Sequence, residues 1–191
     1  MIVGRYGKVF DWSVKSHMIG RDSRDSAAYL VKALDLPFTA EYYLEERNDL
    51  LDERFAFAKP LPGARELIET LSRKQVPIAV ATSSKDHHYA IKTSQHQDWF
   101  SLFNTVVTSD HANVQHAKPA PDIFLTAAAE LNVSPENCLV FEDAPSGVAA
   151  ANTAGMSVIA VPDPNMSHDQ YIDANEIIDS LVAFDFEKWG L

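Results

Sequence analysis

The sequence predicts an α/β protein in which a parallel sheet follows an all-helical N-terminal segment. Two observations support this fold class. After residue 63, short runs rich in β-branched residues alternate with helical patterns, whereas residues 1–58 show helical spacing throughout. Continuous apolar strands separated by helices are typical of a parallel sheet that is covered on both faces. The stretch Lys59-Pro-Leu-Pro-Gly63 interrupts the pattern, so we expect a helical unit at 1–58 and an α/β unit at 59–191.

Apolar residues in the N-terminal segment follow the period of amphipathic helices. Ala27, Val31 and Leu34 fall on one helical face. Residues 44–55 repeat this spacing after Thr39, which is a candidate N-cap because its hydroxyl can accept a backbone hydrogen bond. We therefore expect two main helices before residue 58.

The remainder of the chain predicts four strands and four helices. The strands are expected at 77–82, 105–108, 138–142 and 157–161, and the helices at 63–74, 86–95, 120–132 and 146–154. We expect the four strands to form one parallel sheet. Residues 177–189 are expected to form a last helix, with Phe184, Phe186 and Trp189 in the core.

Composition narrows the classes of partner. The 191-residue chain carries a formal net charge of −11, which argues against nucleic acid and anionic membranes as partners. No run approaches 18 apolar residues, so no transmembrane helix is expected. The single cysteine excludes an intramolecular disulfide and fits a reducing compartment. The expectation is a cytoplasmic protein, monomeric when its sheet is complete.

Hydroxyl, amine and carboxylate groups follow the predicted strands. Thr82, Ser83 and Ser84 come directly after the first strand, Lys118 lies in a loop before a helix, and Glu142-Asp143 ends the third strand. Ligands of open α/β sheets bind beyond the carboxyl ends of the strands. Each group alone is more typical of a turn, a solvated loop or a helix start. Together they predict a site for a phosphate group and Mg²⁺, because Mg²⁺ needs only one or two carboxylates beside substrate phosphate.

Three motifs resemble the haloacid dehalogenase superfamily of phosphotransferases. They are A-V-A-T-S-S at 79–84, A-K-P-A-P-D-I-F at 117–124 and L-V-F-E-D-A-P-S-G-V at 139–148. The stretch K-T-S-Q-H-Q-D-W-F-S-L-F at 92–103 looks more narrowly like the pseudouridine-5′-phosphatase branch. The resemblance implies a Rossmann-like core of three layers, a helical cap domain at 1–58, and a phosphatase of small nucleoside or sugar monophosphates that acts through an aspartyl-phosphate.

The resemblance also implies roles for individual residues. Thr82 would hydrogen-bond the transferring phosphoryl group, and Lys118 would neutralise its charge. Glu142 and Asp143 would hold Mg²⁺ directly or through water. The implied contacts to a small phosphorylated metabolite come from four further residues, which are Ser83, Ser84, Arg21 and Arg24.

One motif of the superfamily has no match in this sequence. The family carries an apolar strand ending in Asp-x-Asp before its cap domain, and the resemblance here begins inside the cap domain. The upstream candidate is Asp11, but Ser13 stands two residues later and cannot act as an acid or base. We therefore expect the chain as written to lack its nucleophile and first core strand and to be inactive, as a truncated gene model, a shortened isoform or a dead relative.

Two other functions stay open at this point. A non-catalytic module could keep the phosphate pocket without performing chemistry. A sugar-phosphate mutase of the same superfamily would differ from a phosphatase mainly in its cap domain. The adjacent His87 and His88 have no cysteine or third histidine at ligand spacing, so structural or solvent-facing roles are expected for them.

Overall fold

The N-terminal segment is helical, as the sequence predicts. The computed structural model describes residues 2–19 and 23–191, apart from the side chain of Asp49. The segment contains a 3₁₀-helix at Val3–Tyr6, α1 at Trp12–Lys15, α2 at Ser23–Ala33 and α3 at Ala40–Phe55. The N-cap prediction for Thr39 is confirmed, because its side chain accepts a hydrogen bond from the Tyr42 amide at 3.3 Å. Val3, Val14, Leu30 and Leu36 form a small buried core here.

The rest of the chain alternates helices and strands. The elements are α4 at Ala64–Arg73, β1 at Ala79–Ala81, α5 at Asp86–Thr93, α6 at Gln97–Phe100, β2 at Thr105–Val107, α7 at Asp122–Leu131, β3 at Leu139–Glu142, α8 at Pro145–Thr153, β4 at Ser157–Ala160 and β5 at Glu176–Ile177. Short 3₁₀-helices lie at Pro135–Asn137, His168–Tyr171 and Leu181–Ala183. No helix in the described ranges combines the length and apolar composition needed to cross a bilayer.

The strands form two parallel sheets, so the prediction of one continuous sheet was wrong. β1 pairs with β2, and β3, β4 and β5 pair in that order. Val80 lies beside Val106 in the first sheet, and Val140 lies beside Val158 in the second. Within the described residues, no strand pairs with the other edge of β1 or of β3. An apolar pattern identifies strands and their parallel sense, but it does not determine which edges share backbone hydrogen bonds.

Alternate strand residues pack into two different cores. Val140 and Val158 belong to a buried cluster that also contains side chains of α7 and α8. Phe141 and Ile159, one position later on the same strands, pack with Leu67 of α4 on the opposite face. This two-residue alternation is the geometry of a strand covered on both faces. The molecule therefore has the helix–sheet–helix layers that the sequence predicts.

The C-terminal segment is not the helix that we predicted. It contains β5, the 3₁₀-helix at Leu181–Ala183 and a turn at 186–190. The Ser180 hydroxyl accepts a hydrogen bond from the Val182 amide at 3.3 Å, and such local bonds compete with helix formation. Phe184 still packs edge-on against Phe141, with ring centroids 5.0 Å apart. The core assignment of the aromatic residues is thus confirmed for Phe184, which is buried.

Candidate active site

Thr82 and Ser84 form a turn directly after β1. The Thr82 amide donates to the Val107 carbonyl at 3.0 Å, which extends the pairing of β1 with β2 by one residue. The Thr82 hydroxyl oxygen accepts from the Ser84 amide at 3.1 Å. This bond fixes the oxygen but uses no hydroxyl proton, so the proton can be donated to an anion. Ser83 is exposed on the same turn.

Lys92 contacts this turn, and no pattern in the sequence predicted the contact. Its Nζ donates to the Ser84 hydroxyl at 2.8 Å and lies 4.2 Å from the ring centroid of Phe55. Burial lowers the pKa of Lys92, and the negative charge of Asp143 opposes that shift. Ser84 and Lys92 are separated by eight residues, and no motif that we recognised pairs them. A cavity of about 290 Å³ opens beside Thr82, Ser84 and Lys92.

Lys118 forms a buried ion pair with Glu142. Their side chains are 9% and 8% exposed. The Lys118 Nζ also donates to the Ala81 carbonyl at 3.4 Å and lies 4.6 Å from the ring centroid of Phe124. Backbone groups alternate along a strand, and the Thr82 amide points to β2, so the Ala81 carbonyl faces the other edge of β1. Lys118 thus joins the end of the first sheet to the end of the second.

Glu142 is held tightly at the end of β3. Burial raises the pKa of its carboxyl group, with Lys118 opposing the shift and Asp143 adding to it. The Ala144 amide donates to its Oε2 at 3.3 Å. A Cβ at Gly147, in the first turn of α8, would overlap the carboxylate. Glycine is therefore required at this position for Glu142 to keep its place.

Asp143 differs from Glu142 in its environment. It is exposed, and its backbone carbonyl accepts a hydrogen bond from the Tyr171 hydroxyl at 2.7 Å. Burial raises the pKa of Tyr171 to about 12, helped by the charges of Asp143, Glu142 and Asp163. Tyr171 is fully buried, so its hydroxyl group holds the backbone of Asp143 in place. The sequence analysis assigned no role to Tyr171 or Asp163, because both lie beyond the motif at 139–148 in a stretch without a regular apolar pattern.

The site's carboxylates fit a hard divalent cation. Magnesium takes oxygen ligands and usually keeps several waters, which suits the exposed carboxylate of Asp143. Glu142 is paired with Lys118 and buried, so it would act through water or through its charge. The two carboxylates at this strand end therefore differ, since Asp143 is exposed and Glu142 is buried in an ion pair.

Two aspartates hold the loops that carry the site. Asp122 Oδ2 accepts from the amides of Gln115 and His116, both at 2.9 Å, just before Lys118. The His116 amide and then that of Gln115 lower the pKa of Asp122, with burial opposing. Asp110 Oδ1 accepts from the Thr108 hydroxyl at 2.8 Å and from the first amide of α5 at 3.0 Å. These bonds fix the loop before Lys118 and the loop after β2.

The remaining predicted residues lie in the N-terminal segment. Arg21 falls outside the described residues. Arg24 is exposed near the start of α2, and its role in substrate binding stays a prediction. Asp11 is the N-cap of α1, where its carboxylate accepts hydrogen bonds from the amide of Ser13 at 3.0 Å and from its hydroxyl at 2.5 Å. That capping role accounts for Asp11 without a catalytic one.

Comparison with known proteins identifies the family. The haloacid dehalogenase-like hydrolase family matches residues 4–155, and the chain belongs to this family. The resemblance read from the three motifs is confirmed, and by family the chain is a phosphoric monoester hydrolase.

Two curated relatives are similar over the whole chain. (DL)-glycerol-3-phosphatase 2 of Arabidopsis thaliana is 43% identical, with all of this chain and 82% of the relative covered. A probable pseudouridine-5′-phosphatase of Drosophila melanogaster is 40% identical, with all of this chain and 84% of the relative covered. The structure of a β-phosphoglucomutase from Clostridium difficile superposes with a TM-score of 0.77 at 24% identity. That match covers 97% of this chain and 82% of the other, and it shows the fold alone.

Proposed function

We propose that the site around Lys118 binds the phosphate of a small phosphorylated metabolite together with Mg²⁺, for hydrolysis of a phosphate monoester. The observation that carries the proposal is the position of the Lys118 ammonium group. It lies between the ends of β1 and β3, beside the Thr82 turn and the two carboxylates. A structural lysine alone would not need hydroxyl donors and an exposed carboxylate next to it.

The protein groups would act by position and charge. Lys118 would offset negative charge on the phosphoryl oxygens, and the Thr82 hydroxyl would donate a hydrogen bond to one of them. Lys92 would add a second positive charge through the Ser84 side of the turn. A bound Mg²⁺ would polarise the phosphoryl group and neutralise developing charge. Asp143 would hold that ion, with Glu142 keeping Lys118 in place.

The substrate class is a small nucleoside, sugar or polyol monophosphate. Relatives named as glycerol-3-phosphatase and pseudouridine-5′-phosphatase support this class. We further propose that residues 1–58 act as a cap domain over the site and that the protein works as a cytoplasmic monomer. The alternative function of a sugar-phosphate mutase is supported only by similarity of fold.

We also propose that residues 1–191 bind phosphate but do not turn over an ester on their own. The covalent step needs a carboxylate in line with the ester bond. Asp11 is engaged as a helix N-cap, Glu142 is paired with Lys118, and Asp143 is the proposed ligand of the metal ion. The chain alone would then be a phosphate-binding unit that lacks its nucleophile.

The test measures binding and turnover separately. Purified residues 1–191 are titrated calorimetrically with inorganic phosphate in the presence of Mg²⁺. Phosphate release is assayed with pseudouridine 5′-phosphate and glycerol 3-phosphate. Lys118→Ala should weaken phosphate binding by about 10- to 100-fold, the effect of one charge-assisted hydrogen bond. Lys188→Ala, which removes a lysine 55% exposed in a surface ion pair, is the matched control.

The phosphate site and the missing nucleophile are contradicted by different results. Phosphate binding that is unchanged in Lys118→Ala would contradict the site. Turnover by residues 1–191 near about 1 s⁻¹, within the ordinary enzyme range, would contradict the assignment of the missing nucleophile. A third assay adds a synthetic apolar peptide ending in Asp-x-Asp-Gly. Turnover that appears only in the presence of this peptide would support both the phosphate site and the missing nucleophile.

A further inference from the structure

Three metal-ligating side chains from two helices meet on the surface beside the candidate active site. Asp52 lies on α3, and His87 and His88 lie in the first turn of α5. Their ligand atoms all lie within 4.8 Å of one another. We propose that Asp52, His87 and His88 bind a divalent transition-metal ion of the zinc class, which joins α3 to α5. This site is separate from the Mg²⁺ site at Asp143.

The distances agree with ligands around one ion. His87 Nε2 lies 3.0 Å from Asp52 Oδ2, and His88 Nε2 lies 3.5 Å from Asp52 Oδ1. Zinc bonds to nitrogen and oxygen of about 2.0–2.2 Å at tetrahedral angles place neighbouring ligand atoms about 3.3 Å apart. Both histidine–aspartate separations are therefore near the required value, and all three ligand atoms lie within 4.8 Å of one another.

The donor set selects the kind of ion. Two imidazoles and one carboxylate suit zinc and the neighbouring first-row metals, whereas magnesium and calcium prefer all-oxygen sites. Three protein ligands leave a fourth position for water. The ring centroids of His87 and His88 are 5.5 Å apart and tilted by 46°, so the two rings do not stack face to face.

One ligand atom lacks a hydrogen bond within the described part of the chain, on an Asp52 side chain that is 42% exposed as a whole. Asp52 Oδ1 is buried and, within the described residues, has no hydrogen-bond partner. A buried carboxylate oxygen without a partner is costly, and a metal ion would satisfy it. Its distance of 3.5 Å from His88 Nε2 is long for a hydrogen bond.

Metal binding requires neutral imidazoles and is opposed by nearby positive charge. Lys92 and Arg47 are nearby cations that repel a metal ion. Lys92 donates to the Ser84 hydroxyl at 2.8 Å, and among the described residues Arg47 has only long hydrogen-bonding contacts, to Asn48 Oδ1 at 3.4 Å and to the Ser23 hydroxyl at 3.5 Å.

Metal binding would act on the neighbouring phosphate site. Phe55, at the end of α3, packs edge-on against His88 with ring centroids 5.3 Å apart. Lys92 lies over the Phe55 ring and donates to Ser84 of the Thr82 turn. An ion that ties Asp52 to His88 would therefore hold α3 against the turn, in addition to the direct side-chain contacts.

The experiment uses residues 1–191 freed of metal by a chelator. Zn²⁺ is titrated calorimetrically, and Co²⁺ serves as a spectroscopic probe because tetrahedral Co²⁺ absorbs strongly in the visible range. We expect one tight site per chain, an intense Co²⁺ spectrum that Zn²⁺ abolishes, and a rise in the thermal midpoint with Zn²⁺ by mass action. Asp52→Asn, His87→Gln and His88→Gln should each weaken binding by at least about tenfold.

The matched control is His111→Gln. His111 Nε2 lies 3.1 Å from Glu130 Oε1, a histidine–carboxylate pair to which the described residues add no third ligand. This variant should bind Zn²⁺ as the unmodified chain does. Undiminished binding in all three ligand variants would overturn the proposal, and so would the absence of a Zn²⁺ isotherm. Three ligand variants keep the test valid if one of them fails to fold.

Discussion

The buried ion pair between Lys118 and Glu142 connects two separate sheets. Glu142 ends β3, and the Lys118 ammonium group also donates to the carbonyl of Ala81, the last residue of β1. Neither residue is exposed by more than 9% of its side chain. The pair therefore has both a structural and an electrostatic role, and the two roles can be separated by substitution.

Replacing Lys118 with methionine should destabilise the protein strongly. The substitution keeps much of the side-chain volume but leaves Glu142 buried without its partner, which typically costs about 3–5 kcal/mol. That is a large share of a total stability of about 5–15 kcal/mol. The measurement is the free energy of unfolding from urea titrations at neutral pH.

Two further variants control this prediction. Lys188→Met breaks an exposed pair with Glu176 and should cost less than about 1 kcal/mol. The double variant Lys118→Met/Glu142→Gln should be more stable than Lys118→Met, because no unpaired charge remains. A Lys118→Met variant as stable as Lys188→Met would show that Glu142 does not depend on its partner.

Replacing Gly147 with alanine should also destabilise the protein. Alanine normally stabilises a helix relative to glycine, by about 1 kcal/mol. Here the added Cβ would overlap the Glu142 carboxylate, and overpacking of this kind costs about 1–3 kcal/mol. Gly4→Ala is the control, since a Cβ there meets nothing within 4 Å. The thermal unfolding midpoints of both variants are measured. Equal midpoints for Gly147→Ala and Gly4→Ala would contradict the prediction.

The acid stability of the protein should depend on Asp122. Hydrogen bonds from the amides of His116 and Gln115 hold the pKa of this carboxyl below its ordinary value of 3.8. A carboxyl whose pKa is lowered on folding stabilises the protein above its unfolded-state pKa, and that contribution is lost as the pH falls through the folded-state value. Asp122→Asn should therefore differ most from the unmodified chain near neutral pH, and least below about pH 3.

Urea midpoints measured from pH 7 downwards check this prediction. Asp179→Asn removes a carboxylate that is 91% exposed and serves as the control for loss of one surface charge. A difference between Asp122→Asn and the unmodified chain that stays constant over the whole pH range would refute the assigned hydrogen bonds.

Magnesium binding should depend more on Asp143 than on Glu142. Asp143 is exposed and we propose it as the ligand, whereas Glu142 is paired with Lys118. We expect Asp143→Asn to remove most calorimetric Mg²⁺ binding and Glu142→Gln to have the milder effect. Asp173→Asn removes another exposed carboxylate and should leave the isotherm unchanged. A greater loss in Glu142→Gln than in Asp143→Asn would reverse the two assignments.

The four main strands were predictable because each is a short continuous apolar run, and the helices α4, α5, α7 and α8 because their apolar residues recur with a period near four. Which strands pair with each other was not predictable, because strand pairing depends on contacts between segments that are distant in the sequence. The proximity of Lys118 and Glu142 could be predicted, because both lie in recognised motifs and Glu142 ends a strand. Tyr171 and Lys92 could not, since a single aromatic or lysine in a loop or helix has no distinguishing local pattern.

The division between β1 and β3 has a consequence for cooperativity. Backbone ladders couple neighbouring strands so that they open together, whereas side-chain contacts couple them less strongly. The β1–β2 unit and the β3–β4–β5 unit share core side chains and the Lys118 ion pair, but no ladder joins them in the described residues. The amides of these two units can therefore exchange with solvent deuterium as separate groups, each with its own opening free energy.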